Sequence, residues 1–282
     1  MEGNQIFRVN GYHRDSVMLS EVLKWKSLSQ TEFNEAYFAA VGHYKSRGID
    51  IESTERTKVC AALAYEKDAS ICDLGSYINI YPVVLKLLGM TVTTVDLYPQ
   101  KSPDSCDYNP SIIKALALYR ELDIYVIEMD LYQVELQASY YDVISCYETF
   151  EHLWHSPKPI MEKIVRALRD GGAFVISVPN IVSLANRIKV LIGRSPLPAF
   201  DSYYRHGNPF WGHRREMTIG EVDWMMKQAG LSKVKVFTAN LYPPLGDNSS
   251  LQGRIYRSLT DRIPVFPSMR GTIFAVYRKE VV

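Results

Sequence analysis

The sequence is short of net charge, cysteine and long apolar runs, and each shortage excludes something. With 32 Lys and Arg against 31 Asp and Glu, the formal charge of the 282 residues is +1. That excludes a general polyanion binder, because phosphate-backbone affinity needs a surplus of cations on one face, and no nucleic-acid partner is expected. The four cysteines, at 60, 72, 106 and 146, form no CxxC pair. A disulfide or zinc scaffold is therefore not expected, and Cys72 and Cys146, which sit in apolar runs, read as reduced core thiols. No run reaches the roughly 18 apolar residues of a membrane span, and the first thirty residues carry charges throughout. A cytoplasmic location is the expectation.

What is present is a composition that folds. At 47% hydrophobic and 22% charged, the chain is not intrinsically disordered, and its length suits one large domain or one domain with an appended cap. Residues 1–67 read as helical. Ser29 and Glu32 have capping-box spacing ahead of Phe33, Ala36, Tyr37 and Ala40 at helical intervals, and Gly48 follows as a stop. A second periodic stretch runs from Glu52 to Glu66.

From residue 68 the pattern changes to short β-rich runs: Ala69–Leu74, Thr91–Val95, Ile124–Glu128, Asp142–Cys146 and Ala173–Val178. Helical segments Pro82–Leu88, Ser111–Glu121 and Pro157–Leu168 lie between them. This alternation predicts an α/β fold, a doubly wound, mostly parallel sheet with helices on both faces. A long segment, about 180–217, interrupts it before a second capping box at Thr218 and Glu221, with Val222, Met225, Met226 and Ala229 on one helix face. Two further strands, Lys233–Ala239 and Thr272–Arg278, are expected, with a helix over Leu251–Arg262 between them.

Ligands of such sheets bind beyond the carboxyl ends of the strands. The residues placed there are Asp73, Gly75, Ser76 and Tyr77 after the first strand, Asp96 and Leu97 after the second, and Asp130 and Leu131 after the third. A carboxylate ending the second strand is placed to accept hydrogen bonds from ribose hydroxyls. Taken singly, each Asp reads equally as a turn or cap residue.

The order DLG, VDLYP, MDLY, YDVISCYETFEHL and LRDGGAFVISVPN resembles the class I S-adenosylmethionine-dependent methyltransferases over about residues 69–278. The stretch from Tyr141 to Asn180 is the most specific part, and it is similar to bacterial glycan and small-molecule O-methyltransferases. The resemblance implies a seven-stranded Rossmann-like sheet with one antiparallel strand, S-adenosylmethionine as cofactor, and methyl transfer to a sugar or sugar-containing acceptor. It implies that Asp73 and Gly75 belong to the first cofactor loop and that Asp96 holds the ribose. Asp130 and Leu131 would flank the adenine, Cys146 and Tyr147 would line the methionine end, and Glu148 would start the turn after the fourth strand. His152 matches a histidine that often follows there, and it is the candidate general base, with His155, His206 and His213 as alternatives.

One departure stands out. The usual loop reads D-x-G-x-G-x-G, and here Tyr77 and Asn79 occupy the second and third glycine positions. Tyr accepts a positive φ poorly, so the loop is expected either to follow an altered path beside the cofactor or to bind it weakly. A binding module that kept the fold without the chemistry stays open on that ground, as does a natural-product or quinone-type acceptor. A nicotinamide enzyme is disfavoured, because these residues fit G-x-G-x-x-G still less well.

Glu148, Glu151, His152 and His155 would share one face of a helix at ligand spacing, but Pro157 and Pro159 cut that helix short, and no metal is expected. The long segment gathers Phe200, Tyr203, Tyr204, Phe210 and Trp211 with Arg205, His206, His213, Arg214 and Arg215. These side chains suit a sugar ring or a phosphorylated group, and the segment is the expected acceptor lid. Arg187, Lys189 and Arg194 beside Leu184, Ile188, Leu191 and Ile192 form a basic amphipathic helix, which suits peripheral contact with a membrane if the acceptor is lipid-linked. The N-terminal helices are left three roles: capping the cofactor, binding acceptor, or pairing in a homo-oligomer.

Overall fold

The computed structural model describes residues 14–98, 109–205, 210, 212–240 and 267–281. Cys106, His206, Trp211 and the helix expected over Leu251–Arg262 lie outside them.

Seven strands form one sheet: β1 (Ser70–Leu74), β2 (Thr91–Asp96), β3 (Tyr125–Glu128), β4 (Tyr141–Tyr147), β5 (Leu168–Pro179), β6 (Leu231–Ala239) and β7 (Thr272–Lys279). Their spatial order is β3-β2-β1-β4-β5-β7-β6. β7 runs antiparallel to both neighbours, and every other adjacent pair is parallel. All seven expected strands are present and the fold is the expected one. The order reverses between β1 and β4, which opens a crevice at their carboxyl ends.

Nine α-helices occur among the described residues: α1 (Arg14–Trp25), α2 (Gln30–Lys45), α3 (Glu55–Ala64), α4 (Tyr81–Leu87), α5 (Pro110–Glu121), α6 (Lys158–Ala167), α7 (Leu184–Leu191), α8 (Phe200–Arg205) and α9 (Ile219–Gln228). The N-terminal helices do not hold a core of their own. Phe33, Tyr37, Tyr44 and Val59 share one buried cluster with Val83 and Leu85 of α4, Leu118 of α5, and Ile71 and Val143 of the sheet. The Tyr147 hydroxyl donates to the Cys60 carbonyl at 2.7 Å, and the Tyr44 hydroxyl to the Asn79 carbonyl at 2.6 Å. α2 thus stiffens the loop after β1 from below. The other face buries Ile160 and Ile164 of α6 and Val222 and Met226 of α9 against Ile144, Phe174 and Ile176.

β5 begins earlier than expected, directly where α6 ends. The glycine pair Gly171 and Gly172 lies in an irregularity where β4 steps from pairing at Tyr141↔Leu168 to Val143↔Ala173. An insertion of this kind bends a strand without ending it.

The long segment after β5 is closed at its base by a bridge between Asn180 and Met217. The Asn180 side chain donates to the Ser268 and Arg270 carbonyls, both at 2.8 Å, which ties that base to the approach to β7. Of α7 only Asn186 is buried; its apolar residues Ile188, Val190 and Leu191 face outward. The expected box at Ser29 forms only its first half, and that at Thr218 forms in full. Ser29 accepts from Glu32 N–H, and Thr218 and Glu221 make a reciprocal capping box. Thr218→Ala is expected to lower stability by about 1 kcal/mol, read as a lower urea midpoint at unchanged slope. An unchanged midpoint would show that the box contributes nothing.

Candidate active site

The turn after β1 is built around Gly75. Its amide donates to the Val95 carbonyl at 2.9 Å, its φ is +71°, and a methyl group placed on it would overlap the Thr149 side chain. Glycine is needed there for conformation and for space. Tyr77, at the second glycine position, also takes the left-handed conformation, with φ +43°. The expected difficulty is met by Asp96: its Oδ2 accepts the Tyr77 N–H at 2.9 Å. That bond offsets a strain of about 1–2 kcal/mol for a non-glycine residue. Asn79 does not adopt a positive φ, so the third glycine position makes no such demand. The loop keeps its turn, and the Tyr77 ring lies 39% exposed at the rim.

Asp96 also accepts from the Tyr98 N–H at 3.3 Å. Burial raises its pKa against these backbone bonds. A carboxylate has about four acceptor positions, so two backbone donors leave room for ribose hydroxyls. Leu97 beside it is exposed. Asp73 lies deeper, buried at the end of β1, where its Oδ1 accepts from the Ser145 hydroxyl at 2.6 Å. Burial pushes its carboxyl up to about 7, against the lowering effect of the Ser145, Ser76 and Tyr81 hydroxyls. Ser76 is likewise buried. Asp130 caps its own turn, its Oδ1 accepting from the Tyr132 N–H at 2.7 Å, and Leu131 packs on the α6 face.

The end of β4 departs from expectation. Cys146 and Tyr147 were expected to line the methionine end, but the side chains of consecutive strand residues point to opposite faces, and both faces here are covered by helices. Cys146 is buried in the α6-side cluster and Tyr147 in the α3-side cluster. They offer the crevice only backbone. Glu148 has a positive φ of +48°, and its carboxylate accepts from the Ser177 hydroxyl at 2.7 Å. Burial raises its pKa, and Arg56 and His213 oppose the rise.

The four residues expected on one helical face do not share one. Phe150–His152 is a single 3-10 turn, and His155 leaves the site to pack its ring against Tyr132, 5.5 Å between centroids. The long segment supplies the partner instead. The N–H groups of Arg214 and Arg215 donate to the Glu151 carbonyl at 2.7 and 3.2 Å, which sets His213 against His152, 4.9 Å between ring centroids. Glu216 lies 2.9 Å from His213 Nδ1. Glu151, His152 and His213 each present a ligand-type atom, all within 4.8 Å of one another. Glu151 is fully buried, and its pKa is raised well above the usual carboxylate range, first by desolvation and then by the Glu148 and Glu216 charges. Sequence reasoning named His213 only as an alternative base and did not foresee Glu216 as its partner; the HRRE spacing was the available signal.

A cavity of about 1910 Å³ lies beside this cluster, between α6, α9 and the 195–203 segment. Leu153, Trp154, Met161, Phe210 and Trp224 give it apolar walls, and it reaches the cluster at His213. The Arg214 guanidinium lies over the Trp154 ring at 4.3 Å.

This geometry agrees with the comparisons to known proteins. A family model described as a methyltransferase domain matches residues 52–236, well over half of the chain. The chain belongs to the methyltransferase domain family. A probable S-adenosylmethionine-dependent methyltransferase of Mycolicibacterium smegmatis (strain ATCC 700084 / mc(2)155) is 31% identical over 126 residues, 44% of this chain and 41% of that protein. The match therefore spans less than half of that relative's length. Two solved structures show the same fold at low identity. An S-adenosylmethionine-dependent methyltransferase from Mesorhizobium loti has a TM-score of 0.54 at 14% identity, over 79% of this chain and 98% of that one. Phosphoethanolamine N-methyltransferase 2 of Haemonchus contortus, solved with S-adenosyl-L-methionine, has a TM-score of 0.53 at 12% identity, over 93% and 60%.

Proposed function

We propose that this methyltransferase-family chain binds S-adenosylmethionine at the ends of β1, β2 and β4 and transfers its methyl group to a hydroxyl of a sugar or sugar-containing acceptor. The observation that carries the reading is the close approach of two turns: the Gly75 turn, with the Asp96 carboxylate bonded to Tyr77 N–H, lies against Thr149, two residues before Glu151 of the Glu151, His152 and His213 cluster. Gly75, Ser76 and Tyr77 would bring backbone to the cofactor, Asp96 and Leu97 would meet the ribose, and Asp130 and Leu131 would flank the adenine. Asp73 supports the loop from beneath.

The chemistry asks little of the protein. The sulfonium is already an activated leaving group, so the site must align the acceptor oxygen with the methyl carbon and exclude water. As oxygen bonds to that carbon, the carbon–sulfur pair returns to sulfur and S-adenosylhomocysteine forms. His152, at the rim, would take the hydroxyl proton.

Tyr203 and Arg214, which line the cavity, with Tyr204 and Arg205 exposed on the same helix as Tyr203, support a sugar acceptor. The outward apolar face of α7, with Leu191 84% exposed between Lys189 and Arg194, supports a lipid-linked form held at an anionic membrane. The apolar walls of the cavity favour a second reading, a natural-product or quinone-type acceptor.

Calorimetric titration with S-adenosylmethionine and S-adenosylhomocysteine tests the cofactor half. Micromolar binding is expected, and Asp96→Ala should weaken it by about 1.5–3 kcal/mol, roughly 10- to 150-fold. Equal affinity in the variant would remove Asp96 from the site. Turnover with nucleotide- or lipid-linked sugars, and none with quinols or phenols, is the expected acceptor result; the reverse selects the second reading.

A further inference from the structure

We propose that Glu151, His152 and His213 form a binding site for a first-row divalent cation that holds and acidifies the acceptor hydroxyl. This deepens the methyl-transfer reading and rests on it for the role of the ion, though not for its binding.

The argument starts from Glu151. Its side chain is completely buried, yet neither carboxylate oxygen has a hydrogen-bond partner. A carboxylate removed from water without donors is costly, and such groups are found paired or on metals. Two donors of the right kind face it. His152 Nε2 and His213 Nε2 each lie 3.9 Å from the same Glu151 Oε1. That is too long for a hydrogen bond and close to the spacing of ligands around a shared ion. With metal–ligand bonds of about 2.1 Å, two ligands at a tetrahedral angle sit about 3.4 Å apart.

The outer partner points the same way. Glu216 Oε1 accepts the Nδ1–H of His213 at 2.9 Å, which fixes the tautomer and leaves Nε2 with its lone pair toward Glu151. A carboxylate behind a ligating histidine is the usual arrangement in metal sites. Both imidazoles are partly exposed, with side chains at 36% and 35% of full accessibility. Three protein ligands, a buried back wall and an open front describe a site with coordination positions left for water or substrate. Two imidazoles with one carboxylate select first-row divalent ions over calcium or magnesium.

The consequence for the reaction is specific. An acceptor hydroxyl on the ion loses its proton to solvent water, its oxygen attacks the methyl carbon, and the carbon–sulfur bonding pair returns to sulfur. No oxidant or further reactant enters. His152 then acts as a ligand, and the proton-accepting role assigned to it above passes to solvent.

Chelator-stripped full-length protein titrated with Co²⁺, followed by its visible absorption, tests the site without turnover. One equivalent per chain is expected, displaced by Zn²⁺, with His213→Ala and His152→Ala each weakening binding at least tenfold. Glu216→Gln keeps the size of the side chain and would reach the ion only through His213; a 10- to 100-fold loss is expected there. It carries the test if His213→Ala does not fold. S-adenosylhomocysteine affinity, measured in the same samples, should be unchanged in Glu216→Gln. Absence of a one-equivalent Co²⁺ spectrum, or variants that bind Co²⁺ like the parent, overturns the cation site and leaves the cofactor reading standing. Loss of nucleoside binding with the spectrum intact does the opposite.

Discussion

Gly75→Ala is expected to abolish measurable S-adenosylmethionine binding and to lower stability by about 2–5 kcal/mol. Two costs add. The residue has a φ of +71°, and moving an L side chain into that region costs about 1–2 kcal/mol. The added methyl would also overlap the Thr149 side chain, and relief requires a shift of the turn after β4, typically another 1–3 kcal/mol. A displacement there moves both walls of the crevice at once, because Gly75 anchors to Val95 and Thr149 precedes the Glu151 turn. Gly89→Ala provides the control: it shares a positive φ, +89°, but nothing lies within 4 Å of the added atom. It should cost about 1–2 kcal/mol and leave binding intact. Thr149→Ala in the Gly75→Ala background should recover part of the lost stability. Equal losses in the two glycine variants, or full cofactor affinity in Gly75→Ala, would show that the close approach of the two loops is unimportant.

Much of this fold is legible in the sequence. Every strand but β5 was bounded within a residue or two, because period-2 and period-3.6 patterns are local. The carboxylate ending β2 was legible from spacing alone. What stayed hidden was non-local or compensatory. That Tyr77 keeps a glycine-like turn depends on a hydrogen bond to Asp96 on the neighbouring strand, and propensity carries no trace of it. That His213 reaches His152 depends on two backbone bonds from the long segment to the Glu151 carbonyl, which no periodicity encodes. Strand alternation, by contrast, was available and should have withdrawn the Cys146 and Tyr147 side chains from the crevice. The helix drawn through Glu148, Glu151, His152 and His155 failed because only one tight turn fits before the Pro157 start of α6.

The second large effect concerns Asp73 and pH. Its carboxyl is buried and its pKa lies near 7, against about 3.8 in an exposed state. The native state therefore holds a proton that the unfolded state releases from about pH 4 upward. Stability is fully present below pH 4, falls as pH rises from about 4 to 7, and is level again above that, where both states are ionised. About three pKa units correspond to a loss on the order of 4 kcal/mol. Glu148 and Glu151, whose pKa values are also raised, add to the same trend. Asp73→Asn should remove its share: the amide oxygen keeps the Ser145 bond, and the amide nitrogen faces the Ser76 hydroxyl that flanks the parent carboxyl. Urea midpoints measured from pH 4 to 8 should fall less steeply in the variant, which should be the more stable protein at pH 8. Parallel profiles would show that Asp73 does not hold that proton. A fold that carries this cost beneath its crevice gains where a cation binds above. S-adenosylmethionine is cationic at sulfur and S-adenosylhomocysteine is not, so the ionised carboxylate should favour the former. Preference for the sulfonium form should therefore rise between pH 5 and 7.5 in the parent and stay flat in Asp73→Asn, with stability exchanged for binding at a single buried side chain.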